Sequence, residues 1–178
     1  MSEESFKMPF LIKNPRTIKA GTTSDAMVMN VDFAPTLLDM AGLEIPSEMQ
    51  GKSFKGVFEG EEKNKRKSVY YHYYEYPIWH KVQPHYGIKT DRYKLMHFYY
   101  TMDEWELYDL KTDPNEIRNI YSEASPELIA SLKKELQELR KEYKDDGSIE
   151  QMKRMTDTVI GRVYNEPKVY KESNNIKK

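Results

Sequence analysis

Apolar residues recur at helical spacing in two parts of the chain. In the first, Asp32 and Pro35 form a typical helix start and Gly42 a typical end, which predicts a helix over Asp32–Ala41 capped by Asp32. In the second, Ser125 and Pro126 begin a helix that continues to about Tyr143. The apolar positions that define the two helical faces are Ala34, Leu37, Leu38 and Ala41 in the first, and Leu128, Leu132, Leu136 and Leu139 in the second.

Aromatic residues are concentrated between these helices. Nine of the fourteen tyrosines fall between Tyr70 and Tyr100, an enrichment typical of β-strands, and Thr90-Asp91 can turn a hairpin. The segment therefore predicts a small antiparallel sheet. Its four strands are expected at Ser68–Glu75, His85–Lys89, Arg92–Tyr100 and Glu106–Leu110.

The remaining segments carry weaker patterns. Pro9–Ile12 is a short apolar run that predicts a buried strand. Residues 43–67 are rich in glycine, proline and charge, which predicts a surface loop with one short helix. Ile149–Val163 is weakly amphipathic, and the polar end Lys171–Lys178 is expected to fray.

Charge and composition exclude several classes of function. Lys and Arg total 28 against 29 for Asp and Glu, so the chain lacks the excess cation that nucleic-acid binding needs. It has no apolar run of roughly 18 residues, the length of a membrane helix, and its first ten residues do not resemble an export signal. Cysteine is absent, which excludes disulfides, zinc-thiolate sites and a cysteine nucleophile within these residues.

Histidines in the predicted sheet are the first candidates for chemistry. His and carboxylate ligands suit zinc and similar ions, so a metal site is one hypothesis. A polar sheet face with solvated histidines is the alternative, because alternation along the strand places His72 and Tyr74 on one face and Glu75 on the other. Trp79 could stack on a sugar ring or cover the sheet as a hydrophobic lid. The candidate ligands are His72, Tyr74, Glu75, His80 and His85.

Acidic and basic residues elsewhere favour structural roles. Asp39 lies on a predicted helix, and Asp109 and Asp113 flank a turn, so they do not form a catalytic carboxylate pair. Arg92 and Lys94 alternate on one strand and could bind an anion, but a solvated or salt-bridged strand face is the favoured interpretation.

Five short sequence segments, taken in order, resemble the C-terminal third of type I sulfatases of the alkaline phosphatase superfamily. Each segment alone is explained by local structure, whereas their shared order and spacing are specific. The amino-acid sequence around residues 70–97 is similar to that of bacterial sulfatases that act on N-acetylglucosamine 6-sulfate, and to that of arylsulfatases. The segments are Glu3–Ile12, Asp32–Gly42, Met49–Ser53, His85–Leu95, and Glu106–Leu110 with Asp113–Glu116.

The resemblance implies cofactors that this sequence does not itself supply. Sulfatases of this kind use a formylglycine, made within a Cys/Ser-x-Pro-x-Arg motif, beside a calcium held by carboxylates. No match to that motif is present here. We therefore expect no cofactor in this chain, no hydrolysis of sulfate esters by it alone, and a missing N-terminal catalytic domain as its partner. The parent enzyme is expected in the periplasm or outside the cell.

The resemblance also implies a substrate subsite. In such an enzyme the loop between Glu75 and His85 faces the active-site pocket and contributes contacts to a sulfated glycan. We assign His80, Gln83 and His85 to this subsite, because imidazole and amide groups exchange hydrogen bonds with sugar hydroxyls, and a cationic imidazole can also meet a sulfate.

The combined prediction is an α+β fold. Residues 1–60 are expected to finish an alkaline-phosphatase-like α/β domain, residues 68–145 to form the four-stranded sheet packed by a helix, and residues 146–178 to form a tail. The predicted function is to wall the substrate pocket and brace the catalytic domain of a glycan sulfatase. The alternative is a free-standing glycan-binding or regulatory module with the same fold. Self-association through uncovered apolar surface is possible in either case.

Overall fold

The structure, a computed structural model, describes residues 2–58, 60, 66–76 and 81–165. Four strands form one antiparallel sheet, helices pack on it, and short helical segments precede it, so the predicted α+β class is confirmed. Within these residues the elements are α1 (Glu3–Phe6), α2 (Phe33–Met40), α3 (Lys55–Phe58), β1 (Ser68–Tyr73), β2 (His85–Thr90), β3 (Tyr93–Phe98), β4 (Glu104–Asp109), α4 (Pro126–Glu142) and α5 (Ile149–Asn165).

The sheet is a meander in which each strand pairs with the next along the chain. All four predicted strands are present, with ends that differ by one or two residues from those expected. One row of apolar side chains crosses the sheet, because the register aligns Tyr70, Ile88, Leu95 and Leu107. This row lies on the face that meets α4 and is the centre of the core.

Helix α4 closes the core in the way that its sequence predicts. The Ser125 hydroxyl accepts a hydrogen bond from the backbone N–H of Leu128, and Pro126 occupies the first turn. Leu132 and Leu136 are buried on the sheet at 5% and 0% exposure. From α5, Met152 joins the same cluster, so the weakly amphipathic segment expected at Ile149–Val163 is a packed helix.

The opposite face of the sheet is covered by the beginning of the chain. Lys94 points to this face and is fully buried, with its ammonium 2.9 Å from the carboxylate of Glu3 and ion-paired to Glu116. The Phe6 ring lies 4.7 Å from the Tyr71 ring and 5.1 Å from the Lys94 ammonium. Helix α1 is thereby tied to the sheet, and the salt-bridged interpretation of the Lys94 strand is confirmed.

The predicted buried strand at Pro9–Ile12 is wrong. These residues form no strand and are exposed, and Leu11 reaches 94% exposure. A strand needs a neighbour for its N–H and C=O groups. The described sheet contains only β1 to β4, so residues 9–12 have no such neighbour within the described part of the chain.

Helix α2 forms where predicted, but Asp32 does not cap it. The Asp32 side chain is turned away and accepts hydrogen bonds from the backbone N–H groups of Met29 and Lys52. It also pairs with both terminal nitrogens of Arg66. The helix buries Pro35 and Thr36, while Leu37 of the predicted apolar face is 63% exposed.

The segments between and after these elements agree in part with the sequence. Helix α3 is the short helix expected within residues 43–67. The end Lys171–Lys178, expected to fray, lies outside the described residues. Among the helices that the structure describes, none has the length and apolarity required to cross a bilayer.

Replacing Leu136 by alanine should lower the free energy of unfolding by roughly 2 to 5 kcal/mol, because its side chain is fully buried between α4 and the sheet. Chemical denaturation measures this loss. The exposed neighbour Gln137, replaced by alanine, is the matched control. A loss below about 1 kcal/mol for Leu136→Ala would mean that α4 does not pack there.

Replacing Lys94 by methionine should cost about 3 to 5 kcal/mol of folding free energy, because it leaves buried carboxylates beside an apolar chain. The comparison is Arg92→Met, which breaks an ion pair whose arginine is about half exposed and should cost much less. Equal losses of folding free energy in the two variants, measured by urea denaturation, would show that the buried ion pair stabilises the fold no more than the exposed one.

Candidate functional site

The candidate site lies at one end of the sheet. Tyr73 pairs with His85, His85 pairs with Phe98, and Phe98 pairs with Glu104. The connection between β1 and β2 and the loop between β3 and β4 therefore leave the sheet at the same end. Loops held on a rigid sheet often carry binding residues, so this end is where the predicted subsite has to be judged.

His85 begins β2 and is only 1% exposed. Its Nδ1 lies 2.8 Å from the backbone carbonyl of Gln83, and because a carbonyl only accepts, Nδ1 carries the proton. The ring is stacked on Tyr73 with centroids 5.3 Å apart. Burial lowers the pKa of His85 to about 4, so its imidazole is neutral at pH 7 and the cationic contact to a sulfate is not available in this state.

Gln83 is half-buried two residues before His85. Its side-chain oxygen accepts a hydrogen bond of 2.9 Å from the hydroxyl of Thr101 in the β3–β4 loop. The backbone N–H of Tyr99 donates to the carbonyl of Pro84 at 3.4 Å. The structure thus brings Gln83 and His85 together, while His80 and Trp79 lie outside the described residues.

The sequence analysis singled out His72 and Tyr74 but missed Asp145, which joins them in a second cluster on the helix-packed side of this end. One carboxylate oxygen of Asp145 accepts from the hydroxyls of Tyr70 and Tyr74 at 2.5 and 2.8 Å and from Nδ1 of His72 at 2.6 Å. Nε2 of His72 lies 2.8 Å from the Tyr99 hydroxyl. Asp145 follows α4 in a turn, so no periodicity in the sequence connects it to β1.

The protonation states of this cluster follow from its contacts. Burial would raise the pKa of Asp145, but the hydrogen bonds from His72, Tyr70 and Tyr74 outweigh it and hold the pKa at about 2. Asp145 is therefore a carboxylate that only accepts. Its bond fixes the His72 proton on Nδ1, so in neutral His72 the Nε2 atom accepts from Tyr99.

These contacts decide between the alternatives for the histidines. The expectation of solvated histidines is wrong, because the side chain of His72 is 3% exposed and His85 is 1% exposed. The shared face of His72 and Tyr74 is confirmed by ring centroids 3.8 Å apart. Among the residues that the structure describes, no group of three or more His, Asp or Glu side chains could hold a metal ion.

His97 adds a second pairing of an imidazole with a carboxylate at the same end. Its Nε2 lies 2.6 Å from Asp103 and its Nδ1 2.9 Å from the Tyr86 hydroxyl. The ring stacks on Trp105 with centroids 4.1 Å apart. Burial lowers the pKa of His97 below its ordinary value, so this ring, like that of His85, is neutral at pH 7.

The other acidic residues that the sequence singled out have structural contacts. Asp39 accepts from the hydroxyl of Ser53 at 2.6 Å. Asp109 receives two nitrogens of Arg92, and Asp113 accepts from the backbone N–H of Arg118. Each carboxylate closes a local turn or joins two segments, as predicted.

A cavity of about 370 Å³ lies on the other side of the described fold, between the α2–α3 segment and α4. Asp32 and Arg66 line it and are bound to each other, with nitrogen–oxygen distances of 2.5 and 2.9 Å. Lys52 at its rim is 2.6 Å from Glu142. The charges of Asp32, Arg66 and Lys52 in this cavity are therefore already paired within the chain.

At the end of the sheet, imidazole, amide and phenol groups are hydrogen-bonded to one another. Neutral imidazole, amide and phenol groups donate and accept hydrogen bonds in fixed directions, and aromatic rings offer apolar faces to a sugar. Calcium or a formylglycine does not fit these residues, since the described carboxylates do not converge and the sequence has no formylglycine motif.

Comparison with known proteins gives this fold a context. The family described as N-sulphoglucosamine sulphohydrolase, C-terminal, matches residues 1–142. The N-acetylglucosamine-6-O-sulfatase of Bacteroides thetaiotaomicron is 53% identical over 153 residues, which cover 82% of this chain and 27% of that protein. Human arylsulfatase K is 29% identical over 160 residues, which cover 85% of this chain and 29% of that protein.

A solved structure shows the same likeness. It is that of a protein in complex with its substrate D-glucosamine-2-N,6-O-disulfate, with a TM-score of 0.72 at 52% identity. The likeness covers 76% of this chain and 28% of that one. The chain thus spans about a quarter of the length of the relatives it matches.

The buried state of His85 predicts its titration. The folded pKa of about 4 lies below the ordinary value of 6.5, so the unfolded chain takes up a proton first as the pH falls. The His85 ring resonances should therefore stay unchanged from pH 8 to pH 5, and this contribution to stability should be lost between about pH 6.5 and 4. A midpoint near 6.5 in an NMR titration would show that the ring is solvated.

Proposed function

Since this chain belongs to the family of sulfatase C-terminal regions described as N-sulphoglucosamine sulphohydrolase, C-terminal, we propose that it serves as that part of an enzyme that hydrolyses sulfate esters of glycans. The observation that carries the proposal is the 53% identity with an N-acetylglucosamine-6-O-sulfatase. A 6-O-sulfated glucosamine is accordingly the proposed substrate class.

In this proposal the end of the sheet walls the substrate pocket. Gln83 and His85, with His80, contact hydroxyls of the sugar by hydrogen bonds. The support is geometric, because Gln83 and His85 lie side by side and are held by the β3–β4 loop. The relative bound to D-glucosamine-2-N,6-O-disulfate has the same fold over most of this chain, which supports a sugar as the ligand.

The formylglycine and calcium of such an enzyme would be supplied by its catalytic domain. Calcium would stabilise charge on the sulfate there, while the residues of this chain orient the sugar. We place the enzyme in the periplasm or outside the cell, as the resemblance implies. The proposed units are residues 1–60 with the catalytic domain, 68–145 as the sheet subdomain, and 146–178 as an extension.

The second proposed role is to brace the catalytic domain. Phe10, Leu11, Phe33 and Leu37 are exposed, and the rings of Phe10 and Phe33, 5.0 Å apart, form an apolar patch. Uncovered apolar patches mark surfaces that associate. The patch lies in the segment that the buried Lys94 contact joins to the sheet, so docking here would also fix the sheet relative to the catalytic domain.

Exchange of this chain for the matching quarter of the Bacteroides N-acetylglucosamine-6-O-sulfatase tests the proposal. The chimera should hydrolyse N-acetylglucosamine 6-sulfate, and His85→Ala should lower its kcat/KM by about ten- to a hundredfold, the scale of one lost polar contact. A small aryl sulfate, which cannot reach the sugar subsite, should be affected much less.

The control is His97→Ala, which removes another buried histidine of the same sheet end that is not assigned to the sugar. Equal losses on both substrates with His85→Ala would point to misfolding or a direct role in the chemistry. A chimera that folds and binds the sugar but never hydrolyses it would favour a free-standing glycan-binding module.

A further inference from the structure

We infer that Asp145 is a positioning residue, which sets the geometry of the proposed sugar-binding residues Gln83 and His85 through His72 and Tyr99. The inference rests on the proposed function for the role of Gln83 and His85. It assigns a part in that site to the turn between α4 and α5, which makes no contact with the sugar in this scheme.

Two hydrogen bonds lead from Asp145 to the Tyr99 hydroxyl, and a third leads from the Tyr99 backbone to the site. The Asp145 carboxylate accepts from Nδ1 of His72 at 2.6 Å, and Nε2 of His72 lies 2.8 Å from the Tyr99 hydroxyl. The backbone N–H of Tyr99 donates to the carbonyl of Pro84 at 3.4 Å. Pro84 lies between Gln83 and His85, so a shift of Tyr99 is passed directly to both residues.

Burial makes these contacts rigid. The His72 side chain is 3% exposed and Tyr99 is 2% exposed. A buried polar group that loses its partner is destabilising, so alternative arrangements of these contacts are scarcely populated. In neutral His72 the Asp145 carboxylate also keeps the proton on Nδ1, which leaves Nε2 to accept from Tyr99.

Asp145 is itself fixed from the helix side. Arg140, 4% exposed, donates from Nε to the backbone carbonyl of Asp145 at 2.9 Å and from a terminal nitrogen to that of Gly147 at 2.8 Å. Lys144 has a positive φ of 56°, a conformation that non-glycine residues adopt only when the surroundings hold them. The α4–α5 turn therefore acts as a rigid support, and the position of the sheet end depends on it.

Two further contacts point in the same direction. The hydroxyl of Tyr74, the first residue after β1, donates to Asp145 at 2.8 Å. On α5, Asp157 accepts a hydrogen bond of 2.6 Å from the hydroxyl of Tyr100. Thr101, which follows Tyr100 in the sequence, donates a hydrogen bond to the Gln83 side chain. Both described ends of the β1–β2 connection are thus attached to residues 145–157.

Hydrogen exchange followed by NMR on the complete chain tests the inference. Asp145→Asn removes the charge and keeps the size, and should accelerate exchange at the amides of Gln83 and His85 by about tenfold or more. The amides of Leu95 and Leu107 in the centre of the sheet should be unchanged. The neighbouring Asp146→Asn, at an exposed position, is the matched control and should change none of them.

Tyr99→Phe is the second variant, because it removes only the hydroxyl between His72 and the site. It should accelerate exchange at Gln83 and His85 in the same way and shift the ¹⁵N resonance of His72 Nε2, even if Asp145→Asn folds poorly. Unchanged exchange at Gln83 and His85 in Tyr99→Phe would overturn the inference. Equal acceleration at Leu95 and Leu107 would also overturn it, since that is general loosening of the fold.

Titration of the same samples with N-acetylglucosamine 6-sulfate separates this inference from the proposed function. Shifts of Gln83 and His85 in the unmutated chain, with about tenfold weaker binding by Tyr99→Phe, support both. Failure of the unmutated chain to bind the sugar sinks the proposed sugar contact of these residues, whereas the exchange rates still decide whether Asp145 positions them.

Discussion

The fully buried ammonium of Lys94 is the constraint on which the arrangement of this chain depends. A buried charge is tolerated only when it is paired, and here the two carboxylates come from opposite directions along the sequence, Glu3 from the first helix and Glu116 from the turn after β4. Glu116 adopts a φ of 54° to do so. One strand residue thereby specifies where the beginning of the chain and the end of the sheet must lie.

Alternation along the strands carries this constraint to the candidate site. Lys94 faces α1, so the neighbouring Leu95 faces α4 and belongs to the apolar row of the core. The same alternation places His85 on the α1 side and His72 and His97 on the helix-packed side of one sheet end. The two sides meet there through the β3–β4 loop, which contacts His72 by Tyr99 and Gln83 by Thr101.

The sequence predicted the local elements well because their signals are local. The aromatic strands, the Ser125 cap and the leucine face of α4 each depend on neighbours within a few residues. The errors of the sequence-based prediction concern contacts between residues that are far apart in the sequence. Asp32 was assigned to a cap but pairs with Arg66, 34 residues away, and Pro9–Ile12 was assigned to a strand that has no partner in the described sheet. Asp145, 73 residues from His72, carried no local pattern at all.

Burial of the histidines changes what the candidate site can recognise. A cationic imidazole would attract any sulfate over several ångströms, whereas a neutral ring discriminates only through the direction and length of its hydrogen bonds. Such discrimination requires the ring to be held in place, and the stacking of His85 on Tyr73 and its bond to the Gln83 carbonyl meet that requirement. In the proposed enzyme, charge recognition of the sulfate and geometric recognition of the sugar are therefore divided between the catalytic domain and this chain.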